Sequence, residues 1–96
     1  MAGNVTQCET AGARCYGLGP KLQGVQAEYT MVPVADFGLA KIPDGVTEDQ
    51  AVLLTDNLPT AWFGLKNADI KPGSTVAVVG CGPIGLMAVE GAFLMG

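Results

Sequence analysis

Residues 80–85 read Gly80-Cys81-Gly82-Pro83-Ile84-Gly85, a G-x-G-x-x-G pattern whose glycine spacing suits the binding of a pyrophosphate. The pattern carries weight because of its flanks. An uncharged, β-branched run (STVAVV, 74–79) precedes it, and an apolar stretch of helical length (LMAVEGAFLM, 86–95) follows at once. In such a strand–turn–helix unit each glycine has its own task. Gly80 permits the tight turn, Gly82 lets the backbone approach the diphosphate, and Gly85 lets helix and strand pack closely. The start of the helix then offers unpaired N–H groups and the positive end of its dipole to the phosphates. The bland alternative is a glycine turn that binds nothing.

Other reactive side chains are sparse. The chain has no histidine, so neither a His-based catalytic triad nor a His-rich metal site can be completed within it. The three cysteines, at 8, 15 and 81, are odd in number, which argues against a disulfide framework and for a reducing, cytoplasmic setting. Asp56 stands just ahead of Leu58-Pro59-Thr60, where it suits the N-cap of a helix entered at Pro59. Five Lys and Arg against nine Asp and Glu give a net charge of −4, too few scattered cations for a nucleic-acid surface.

These residues need a scaffold, and 96 residues allow one small domain at most. Such a chain buries only about 60–65% of its unfolded surface. Hydrophobic residues at 49% and charged residues at 15% exclude intrinsic disorder driven by charge. Glycines and a proline through residue 26 read as loop. Two short extended pieces are expected at 27–32 and 39–42, the second closed by the turn Pro43-Asp44-Gly45. Thr47 with Gln50 forms a capping box for a helix that ends near residue 55. A second helix spans 60–69, with Ala61, Trp62, Leu65 and Ala68 on one face. Lys71-Pro72-Gly73 turns the chain into the strand at 74–79, and the helix at 86–95, apolar almost all round, should be buried. Residues 76–96 are long enough to span a bilayer and carry one charge, Glu90, but the glycine and proline cluster favours strand, turn and helix over a span. The first fifteen residues lack a basic stretch followed by an apolar core, so no secretory signal is expected in them.

Several stretches, in order and spacing, resemble the zinc-dependent medium-chain alcohol dehydrogenases: QGVQAEYTMVPVADFGLAKIPDGV (23–46), AVLLTDNLPTAWFGL (51–65), ADIKPGSTVAVVGCGPIGLMAV (68–89) and GAFLMG (91–96). The resemblance implies an α/β fold. Residues 1–57 would be the end of a chaperonin-10-like catalytic β domain, and 58–96 the first β-α unit of a Rossmann fold. A βαβ unit alone needs roughly 30 residues, and the acidic residue that binds the ribose should follow the glycine turn by about 20. The chain is therefore expected to be an internal fragment of a longer enzyme.

The resemblance also assigns residues. Asp56 falls at the position of the third catalytic zinc ligand, where an Asp resembles the branch acting on secondary alcohols or formaldehyde. Its other reading, the helix cap, stays open. Cys8 matches the last cysteine of the four-cysteine structural zinc lobe, although the other three would lie before Met1. Thr60 and Ile84 match positions that touch the nicotinamide, with ordinary packing as the alternative for each. Cys15 and Cys81 match no ligand position. The expected function is hydride transfer between a small alcohol or aldehyde and NAD or NADP, assisted by Zn2+, in a parent that is dimeric or tetrameric. The 96 residues by themselves are expected to be inactive. A zinc-free, quinone-reductase-like relative and a non-enzymatic scaffold are the competing readings.

Overall fold

The structure, a computed structural model, describes residues 15–18 and 22–96. Cys8 lies outside the described residues. The chain divides into two compact units, one ending at Ala40 and the other running Lys41–Gly96.

In the first unit the Gly17 N–H donates to the Leu22 carbonyl at 3.0 Å, with Gly17 at φ +78°. A single-turn helix, α1 (Ala35–Gly38), follows an N-cap position held by Val34 at φ 53°. A β-branched residue is strained in that left-handed region, and no side chain caps the helix. This helix has no counterpart in the sequence reading, and no strand forms at 27–32.

The second unit holds the candidate site. Its first helix, α2 (Glu48–Ala51), carries the expected capping box: Gln50 N–H donates to Thr47 Oγ1 at 3.3 Å, and Thr47 N–H donates to Gln50 Oε1 at 3.0 Å. Glu48 and Asp49 place negative charge at the positive end of the helix. A 3-10 turn, Val52–Leu54, carries the chain into α3 (Asn57–Asn67). Pro59 sits in the first turn of α3, where its missing N–H costs nothing. After a turn at Lys71-Pro72-Gly73, closed by Ser74 N–H to the Lys71 carbonyl at 2.9 Å, the chain reaches the glycine segment and α4 (Pro83–Leu94).

Helices α3 and α4 pack on each other, and their crossing is the core of the unit. Ala61 and Leu65 are 4% and 5% exposed, and Gly91 of α4 is buried against them. A Cβ at Gly91 would stand 2.6 Å from Leu65 Cδ1 and 3.7 Å from the Trp62 ring, so the glycine sets how closely the helices approach.

Three expectations need correction. Among the described residues no strand forms at 27–32, 39–42 or 74–79. A strand is a relation between two segments, and no backbone hydrogen bond joins residues 75–80 to another described segment. Val79 is accordingly fully exposed, at 100%. Second, α4 is not buried all round: Phe93 is 80% exposed, and Leu86 and Leu94 also face outward. Third, the expected face of α3 is only partly covered, since Trp62 and Ala68 are exposed. Among the described residues no helix is long and apolar enough to cross a membrane.

Candidate functional site

The glycine segment folds as a tight turn into the N-terminus of α4. Gly80 adopts φ +99°, a conformation that side-chain-bearing residues rarely take. Gly85 is ordinary in φ but not in its surroundings. A Cβ there would lie 1.9 Å from the Gly80 carbonyl oxygen and 3.6 Å from Val78 Cγ1. The first and last glycines are thus explained by the chain itself, one by conformation and one by the close approach of α4 to residues 78–80.

Gly82 is explained by neither. Its φ of −75° and ψ of −178° suit any residue, and a Cβ built on it meets nothing within 4 Å. It is the N-cap of α4 and, lacking a side chain, leaves the first N–H groups of the helix without a side-chain cap. Pro83 occupies the first helical position, and Leu86 N–H makes the first helical bond, to the Gly82 carbonyl at 2.9 Å. No acidic residue stands in the first turn to neutralise the positive end of the dipole. Ile84, also in that turn, is exposed. Open space beside uncapped N–H groups is the environment an anionic diphosphate requires. The residues present therefore fit the pyrophosphate of a dinucleotide.

Asp56 occupies the N-cap position of α3, with φ −140° and ψ −57°, yet its carboxylate accepts no helix N–H. Its main-chain carbonyl accepts Thr60 N–H at 2.9 Å, and its Oδ1 accepts the Thr60 hydroxyl at 3.0 Å. The structure thus brings Asp56 and Thr60 into direct contact, a link legible afterwards as an Asp and a Thr four residues apart on a helix. Asp56 is exposed, and its Oδ2 has no hydrogen-bond partner among the described residues. Leu58 from the first turn of α3 and Leu86 from the first turn of α4 line one cleft with Trp62 and Met87.

As a metal donor Asp56 fits one position, an exposed carboxylate with an oxygen to spare. Among the described residues no group of three or more His, Cys, Asp or Glu side chains gathers to complete a site around it. Cys15 and Cys81 are free, exposed thiols.

A probable zinc-binding alcohol dehydrogenase of Mycobacterium tuberculosis is 48% identical over 96 aligned positions, covering 93% of this chain and 25% of the relative. A glutathione-independent formaldehyde dehydrogenase of Pseudomonas aeruginosa is 44% identical over 77 residues, covering 76% of this chain and 19% of that protein. An NADP-dependent isopropanol dehydrogenase of Thermoanaerobacter brockii is 47% identical over 73 residues, covering 76% and 21%. The chain belongs to the medium-chain alcohol dehydrogenase family. It spans about a quarter or less of the length of these relatives. No solved structure matches it, and no protein-family model does. Membership brings the α/β class of fold with it, while among the described residues the only elements formed are helical.

Proposed function

We propose that this member of the medium-chain alcohol dehydrogenases is part of an oxidoreductase that moves a hydride between a small alcohol or aldehyde and NAD or NADP. Residues 1–57 contribute to its catalytic domain and 58–96 begin its dinucleotide-binding domain. The observation that carries this reading is Gly82. Gly80 and Gly85 are demanded by conformation and packing, whereas neither demands a glycine at 82, and the open space beside it leaves room for a ligand that comes close to the backbone.

In this reading the N–H groups at the start of α4 bond the phosphate oxygens, and the helix dipole favours their charge. Ile84 presents an apolar side chain to one face of the nicotinamide, and Thr60 borders it from α3. The dinucleotide supplies the hydride acceptor. Asp56 contributes one ligand to a catalytic zinc, which when bound polarises the alcohol oxygen as a Lewis acid. Cys8 would contribute to a structural zinc together with cysteines from elsewhere in the protein. The relatives named for isopropanol and formaldehyde favour a secondary alcohol or formaldehyde as substrate. The parent enzyme is cytoplasmic and a homodimer or homotetramer, and the 96 residues by themselves turn over no alcohol.

Two variants of the complete enzyme test this. Gly82→Val should weaken NAD or NADP binding by at least about tenfold while zinc content stays at the wild-type value, because valine is sterically tolerated at this φ and ψ. Asp56→Ala should lose zinc and activity yet still bind the dinucleotide. An unchanged dissociation constant for both cofactors in Gly82→Val would reduce the glycine turn to a structural element. Full zinc occupancy in Asp56→Ala would remove Asp56 from the metal site.

A further inference from the structure

We draw no further inference here: the strongest candidate, the apolar cleft between α3 and α4 lined by Leu58, Trp62, Leu86, Met87 and Leu94 with the Glu90 carboxylate beside them, carries nothing because nothing in the structure shows what covers it.

Discussion

Gly85→Ala should be destabilising although alanine is the better helix former. The added Cβ would lie 1.9 Å from the Gly80 carbonyl oxygen and 3.0 Å from its carbon, against ordinary contacts of 3.4–4 Å. The obstacle is backbone, so no rotamer change relieves it. The partner residue sits at φ +99°, in the region that favours glycine. Forcing a methyl group into a filled site costs about 1–3 kcal/mol and occasionally more, and a clash this short with main chain belongs at the upper end. The intrinsic helical preference of Ala over Gly returns at most about 1 kcal/mol. The expected net loss is therefore about 2 kcal/mol or more, a large share of the roughly 5–15 kcal/mol that holds a protein folded. Gly82→Ala is the matched control, three residues away in the same turn, with nothing within 4 Å of its Cβ. Denaturant unfolding of the complete enzyme, followed by far-UV circular dichroism, should show a clearly earlier transition for Gly85→Ala than for Gly82→Ala, whose cost is only the smaller one of alanine at an N-cap. If the two variants unfold together, within about 0.5 kcal/mol, the close approach of α4 to Gly80 does not constrain the fold and the division of labour among the glycines is wrong.

Three further outcomes are accessible to the same assay. Thr47→Ala removes the Oγ1 acceptor for Gln50 N–H and should cost about 1 kcal/mol, whereas Thr47→Ser should cost little. Gly64→Ala adds a methyl group at an exposed helical position where nothing lies within 4 Å, and should raise stability by up to about 1 kcal/mol. Leu65→Ala empties one of the two most buried apolar positions and should cost about 2–5 kcal/mol. Adding Gly91→Ala to it should recover part of that loss, because the new methyl group points to where Leu65 Cδ1 stood, and a strictly additive double mutant would refute this contact.

What could be read from the sequence is what neighbouring residues decide among themselves. The Thr47 and Gln50 capping box, the turns at Gly45 and Gly73 with φ of +84° each, and Pro59 in a first helical turn depend on a few adjacent residues. They form as the sequence predicts. Helix α1 is not legible in the sequence, because one turn of Ala35-Asp36-Phe37-Gly38 lies below the length at which helical pattern is recognisable, and its N-cap is a strained valine. The sequence pattern predicts a helix from 86 rather than from Pro83, because Gly85 reads as part of the glycine turn. Its glycine is needed for space inside a helix, not for an unusual φ, and a sequence pattern cannot separate those two reasons. Residues 74–79 mark the opposite limit. Their β-branched side chains state a preference, but a ladder requires a second segment to supply N–H and carbonyl partners, and none of the described residues does so.

The candidate site divides along the same line. The glycine spacing announced a turn that could take a diphosphate, but only the geometry separates Gly82, which the chain does not need as glycine, from Gly80 and Gly85, which it does. Position alone favours Asp56 as a helix cap, and only the family resemblance favours it as a metal ligand. The structure puts it at the N-cap and directs its carboxylate to Thr60 instead of to helix N–H groups. A capping carboxylate spends its oxygens on the backbone, whereas this one keeps an oxygen exposed. That difference makes the zinc content of Asp56→Ala a test of chemistry as well as of helix stability. A residue that only marked the N-cap would lower the unfolding midpoint and leave metal content alone. A ligand would lose the metal whatever happened to the helix.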